Sequence, residues 1–255
     1  MSLEEVIQLN RLYTSDSLDG LGNWEKSVLS KFTLKMTNKQ ELFPCIPATQ
    51  GHRLNHFRYG FLGDPRSESS VEELAALLTE YTRTSKEFGE FTSLIVFFQT
   101  PKEIKEMYSV EQYEQLFWNH LNGLTKLDKK TWPTHIPVTP HEPLWEFCFH
   151  GEQYFIYCAT PAHYRRKSRQ FDDYMLAITP RWVLTTFEHS GTYAHKIRKH
   201  IRKRLEKYDS TGIHHSLNQY GNADNFEWKQ YFLHDDDSEL SKCPFHMWKK
   251  EDKEE

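Results

Sequence analysis

The chain predicts an α+β fold, a single domain over residues 1–255 in which a central, mostly antiparallel or mixed sheet is flanked by helices. Three observations carry that prediction. Short β-type runs cluster in the middle of the sequence, amphipathic helical stretches lie outside them, and strands and helices do not alternate regularly as a parallel α/β sheet requires. Only 38% of the 255 residues are apolar, yet 15% are Phe, Tyr or Trp and the net charge is −4. Disorder goes with few aromatics and high net charge, so a packed core walled by rings is expected instead. No window approaches the ~18 consecutive apolar residues of a spanning helix, so no membrane partner is expected.

The elements follow in order. Trp24, Val28, Phe32 and Met36 recur every fourth residue and predict a helix over Trp24–Met36. Pro44 and Pro47 then predict an ordered loop with no helix. Leu54–Phe61 reads as a strand, with Phe57, Tyr59 and Phe61 alternating. Ser70-Val71-Glu72-Glu73 has the form of a capping box and should open a helix reaching Phe88. Thr92–Phe98 is a continuous apolar run, as expected of a fully buried strand. A second capping box, Ser109-Val110-Glu111-Gln112, precedes a helix carrying Tyr113, Leu116, Phe117, His120 and Leu124. Four prolines make Trp132–Pro143 a long loop. Trp145–Phe149 and Tyr154–Cys158 should form a hairpin around His150-Gly151-Glu152-Gln153. Tyr174–Ile178 and Trp182–Phe187 read as two further strands. Tyr193–Tyr208 is a basic helix, Asn225–Phe232 a short one, and Lys249–Glu255 a polar tail.

Several classes of function are unsupported. The first five residues lack a basic start and an apolar stretch, so no secretory signal is read there. Four dispersed Cys without CxxC spacing fit reduced thiols and a cytoplasmic setting. Lys196, Arg198, Lys199, Arg202, Lys203, Arg204 and Lys207 crowd the basic helix. The interleaved Ile197, Ile201, Leu205 and Tyr208 nevertheless mark an amphipathic surface helix, balanced by acids such as Asp235, Asp236 and Asp237, and no nucleic-acid partner is expected. The Asp235–Asp237 run lacks the alternation and Gly turn of a calcium loop and reads as solvated. Neither a nucleophile elbow nor a Walker or Rossmann glycine pattern is present.

One segment has chemical promise: Thr160-Pro161-Ala162-His163-Tyr164-Arg165-Arg166-Lys167-Ser168-Arg169, a loop beyond the predicted hairpin. An imidazole can ligate haem iron, and guanidinium groups can pair with propionates. A solvated basic turn is the plainer alternative. Cys45 offers a thiolate as a rival ligand, or else a small buried hydrophobe.

The set Phe43-Pro44-Cys45, Phe57-Arg58-Tyr59-Gly60-Phe61, Trp145-Glu146-Phe147, Thr160-Pro161-Ala162-His163, Ser168-Arg169, Pro180-Arg181-Trp182-Val183, Tyr220-Gly221-Asn222 and Glu227-Trp228-Lys229-Gln230-Tyr231 resembles the YqcI/YcgG family of bacterial proteins, in the right order over most of the chain. Some members are haem-dependent N-oxygenases that hydroxylate guanidine nitrogens of arginine-like amino acids. The resemblance therefore implies haem b, O2 as co-substrate, an electron donor and a small amino-acid-like substrate. It further implies His163 as iron ligand, Arg165, Arg166 and Arg169 for the propionates, and His215 on the distal or substrate side. One departure stands out: the hydroxylating relatives have a His directly before the Pro of this loop, where this chain has Thr160. Either His163 takes the role from a shifted loop, or the ligand lies elsewhere, or haem has been lost. The alternative function is a non-catalytic haem- or small-ligand-binding protein of the same fold.

Overall fold

The computed structural model describes residues 11–188, 191–218 and 225–247. The Tyr220-Gly221-Asn222 motif and the polar tail lie outside the described residues. The first helix, α1 (Asn23–Thr37), turns Val28, Leu29, Phe32 and Met36 inward, as the four-residue spacing predicts. The next element corrects the sequence reading. The Pro44–Pro47 stretch is not all loop, because α2 (Ile46–Arg53) begins one residue before Pro47. Proline is excluded from a helix interior but tolerated in the first turn, whose N–H groups lack intrahelical acceptors. Helix α2 ends just before the expected strand; residues 54–57 form a turn, and β1 is confined to Arg58–Leu62.

Helix α3 (Glu68–Thr84) starts earlier than the Ser70 motif implies, with Ser67 as its N-cap: its Oγ accepts the Ser70 N–H at 3.2 Å. Ser70 is buried instead, its hydroxyl donating to the Ser67 carbonyl at 2.7 Å. The central strand β2 (Leu94–Phe98) is buried at every position. Short α4 (Lys102–Met107) leads to α5 (Val110–Leu127), where Ser109 and Gln112 close the expected capping box. Strands β3 (Phe147–Phe149) and β4 (Glu152–Ala159) meet at a two-residue turn. His150 and Gly151 there take φ of 53° and 81°, the left-handed pair that tight hairpins require.

After β5 (Met175–Pro180), the expected strand over Trp182–Phe187 is instead helix α6 (Arg181–Glu188). Its β-branched residues suit a helix because Thr186 Oγ1 donates to the Trp182 carbonyl at 2.7 Å. Nonlocal anchoring also fixes this turn. Buried Arg181 donates to Glu146 at 2.5 Å and to Glu227, and burial raises the Glu227 carboxyl to about 8. The chain then forms α7 (Thr192–Tyr208), the basic helix, and α8 (Trp228–Tyr231).

The sheet runs β1-β2-β5-β4-β3 and is mixed, with β1 and β2 parallel and the other pairs antiparallel. Strand alternation sends residues to two cores. One face packs Leu94, Val96, Phe98, Ile156 and Ile178 against α3 and α5. The other packs Ile95, Phe97, Ala159 and Met175 beneath α1. Helix α8 packs against β4, where the Tyr231 hydroxyl donates to the Tyr154 carbonyl at 2.9 Å. Among the described residues, no helix is long and apolar enough to cross a membrane.

Candidate active site

The loop after β4 is built as a clamp. Asp235, read as solvated from sequence, accepts the backbone N–H groups of Tyr164, Arg165 and Arg166 at 2.7–3.1 Å. Partial burial acts to raise its pKa, but these three bonds outweigh burial and hold the carboxyl below the usual range. Arg166 is 1% exposed. Its guanidinium donates to the carbonyls of His234 at 2.8 Å and of Gly212 and Asp236, both at 3.1 Å. Arg169 is also buried, donating to Tyr231 O at 2.7 Å and Gln230 O at 2.8 Å and stacking over the Tyr157 ring. Both guanidinium groups are therefore committed within the protein, to backbone oxygens and, for Arg166, to the carboxylates of Asp209 at 3.9 Å and Asp237 at 3.7 Å. Arg165 stays exposed.

His163 sits inside this clamp at 2% exposure. Its Nε2 donates to the Leu233 carbonyl at 2.8 Å, and Nδ1 accepts from the Thr160 hydroxyl at 2.9 Å. Burial pushes its pKa down to about 4, so the ring is neutral. Both nitrogens are occupied, leaving neither for a metal in this arrangement. His215 is elsewhere: exposed, stacked on His214 with centroids 4.6 Å apart, and 3.0 Å from Glu239. Ligand atoms of His214, His215 and Asp237 lie within 4.8 Å of one another. However, both His214 nitrogens already have partners, Ser216 N–H and Ser238 O.

Cys45 lies in a separate place. It is the N-cap of α2 and lines a cleft of about 180 Å³ between α1, α2 and the sheet. Phe32, Phe57, Ile95, Tyr157 and Met175 contribute to its wall. Burial pushes the thiol pKa above its ordinary value, an effect that an N–H from Ala48 and the positive charge of Arg204 offset only in part. Lys35 also lines the cleft, although composition and spacing had not singled it out. The available signal is its place on the inward side of α1, between Phe32 and Met36. Ser93 and Thr179 add a hydrogen-bonded hydroxyl pair at 2.7 Å. His163, Arg165, Arg166, Arg169 and His215 are not on the cleft wall. The sequence candidates thus separate into a structural clamp, an exposed histidine pair and the Cys45 cleft.

The family profile for YqcI/YcgG proteins matches residues 32–246, from the middle of α1 to the end of the clamp region. This chain belongs to the YqcI/YcgG family. It is 44% identical over 241 residues to YcgG and to YqcI of Bacillus subtilis strain 168, each covering 93% of this chain and 95% of the relative, and both named as uncharacterized. It is 29% identical over 233 residues to DcsA of Streptomyces lavendulae, covering 89% of this chain and 86% of that protein. DcsA is proposed by its name to be an N(omega)-hydroxy-L-arginine synthase. No solved structure matches the chain. Family membership, with the name of the more distant relative, supports an N-hydroxylating family.

Proposed function

We propose that this protein is a haem-dependent oxygenase that hydroxylates a guanidine or amine nitrogen of a small amino-acid-like substrate, with O2 as co-substrate and a separate electron donor. The observation that carries the site assignment is Cys45, a thiol at a helix N-terminus on an aromatic-walled cleft. The likeness to DcsA supports the reaction class. The donor set fits haem in chemistry: a soft sulfur ligand, apolar walls and cations from Lys35 and Arg204 beside it. The cleft is smaller than the ~300–1,000 Å³ typical of cofactor pockets, so a macrocycle requires α1 and α2 to move apart. Cys45 is preferred to His163 because the imidazole has both nitrogens hydrogen-bonded within the clamp.

Bound at the cleft, haem would supply the activation of O2. The residues of this chain do the rest. Burial keeps the Cys45 thiol protonated above its ordinary pKa, the Ala48 N–H and the Arg204 charge offsetting only part of that, so a sulfur ligand would have to lose its proton on binding iron. Phe32, Ile95 and Met175 exclude water, and the Ser93–Thr179 hydroxyls offer a polar contact that orients a substrate nitrogen. Tyr157 cannot donate a proton there while its hydroxyl is engaged with the Ser168 carbonyl.

Expression with a haem precursor, followed by an absorbance spectrum, tests the proposal. A Soret band is expected; Cys45→Ala should abolish or shift it and His163→Ala should leave its position unchanged. No band, and none after hemin is added, overturns the haem reading. A second reading, a small-ligand-binding protein without redox chemistry, is favoured by the 180 Å³ volume and by Thr160 in place of the relatives' His. A stoichiometric chromophore contradicts it.

A further inference from the structure

Lys35 is an anomaly on α1, since the residues flanking it on the same helix face, Phe32 and Met36, are core. Its Nζ reaches across to the sheet side, donating to Gln170 O at 2.6 Å and Lys167 O at 3.0 Å. It also lies 5.7 Å from the ring centroids of both Phe43 and Tyr208. An ammonium has three donors, and two are used here. Among the described residues no carboxylate lies within ion-pair distance of it. The acids whose charges reach Lys35 are Asp209, Glu41 and Asp172. Each is engaged elsewhere: Asp209 with Ser168 and Arg166, Glu41 with Lys167, and Asp172 with Lys31. Like charge comes from Lys167, which is itself paired with Glu41.

Charges drawn even partly out of water are ordinarily paired, and this half-buried one lines an apolar cleft. We propose that the cleft binds a small carboxylate, with the acid group on the Lys35 ammonium and the hydrocarbon part against Ile95 and Met175. The inference rests on reading this cleft as the ligand site, but not on haem. An apolar cavity near 150 Å³ accepts a benzene-sized guest, so about 180 Å³ accommodates a ring or a short aliphatic chain. Burial already pulls the Lys35 pKa down to about 8, which a bound carboxylate would reverse. An amino-acid substrate and a tetrapyrrole propionate both bring the required group, and the two sources can be separated.

The test is calorimetric titration of the full chain at pH 7 with phenylacetate and with neutral phenylacetamide, alongside haem and haem dimethyl ester. The unmodified protein should bind phenylacetate roughly tenfold more tightly than the amide. Lys35→Met should erase that preference while the amide still binds, and Lys35→Arg should keep it. The preference should fade as pH rises past 8. A Lys35-dependent advantage of haem over its ester assigns the acid to the cofactor, and an advantage for phenylacetate alone assigns it to the substrate. Equal binding of acid and amide, or a preference that survives in Lys35→Met, overturns the inference. Loss of haem binding with the phenylacetate preference intact removes the oxygenase reading and leaves this inference standing.

Discussion

Replacing Arg166 by Met keeps most of the apolar stem and removes three charge-assisted hydrogen bonds at 2.8, 3.1 and 3.1 Å. Such bonds contribute ~1.5–3 kcal/mol each, so the gross loss is ~5–9 kcal/mol. The guanidinium recovers hydration when the protein unfolds, and its removal spares that desolvation cost, so the net loss should be ~3–5 kcal/mol. That is a large part of the ~5–15 kcal/mol that stabilises a typical domain. Arg165, its exposed neighbour, uses its backbone rather than its side chain, and Arg165→Met should cost no more than ~0.5 kcal/mol. Urea unfolding of both variants provides the assay: Arg166→Met should lower the midpoint steeply with little change in slope. A loss below ~1 kcal/mol for Arg166→Met would refute the clamp argument.

Gly51→Ala would place a Cβ 2.5 Å from the Phe91 carbonyl and 2.7 Å from the Phe57 ring; a loss of ~1–3 kcal/mol is expected, and an unchanged thermal midpoint would contradict it. Stability should also depend on pH through three buried histidines. His120 and His163 are pushed by burial down to about 4 in the native state, so the unfolded chain takes up protons that the folded chain refuses. Each should therefore cost up to ~3 kcal/mol as pH falls from ~6.5 toward 4. His234 is the reverse, since its hydrogen bond to Glu114 at 2.7 Å raises its pKa. Its contribution is complete below ~6.5 and is lost as pH rises through the native value. Urea midpoints from pH 4.5 to 8 should show both branches, and Glu114→Gln should flatten only the upper one.

Local patterns reveal the elements whose fate is local. Five consecutive apolar residues suffice to identify β2, and Ser109 with Gln112 suffices to start α5. Helix α6 was hidden because Arg181, at its head, is fixed by Glu146 and Glu227, respectively 35 and 46 residues away. The site was only half legible for the same reason. A His beside several Arg suggests an anion pocket, but the carbonyls that consume those donors come from residues 212–237, which no periodicity links to the loop. Cys45 was visible as a candidate, whereas its cleft is made by α1, α2 and three strands meeting. Lys35 needed one further step, namely asking why a cation sits on an apolar helix face.

The clamp also dictates an order of events. Arg166 and Arg169 precede by some sixty residues the carbonyls of 230–236 that satisfy them. Until those residues leave the ribosome, the two guanidinium groups stay hydrated and β4 lacks its contact with α8. Strands and α3 can dock earlier, but the nascent sheet remains an open template for pairing with other chains. A chain cut just before Glu227 would therefore be lost to aggregation rather than survive as a partly folded protein.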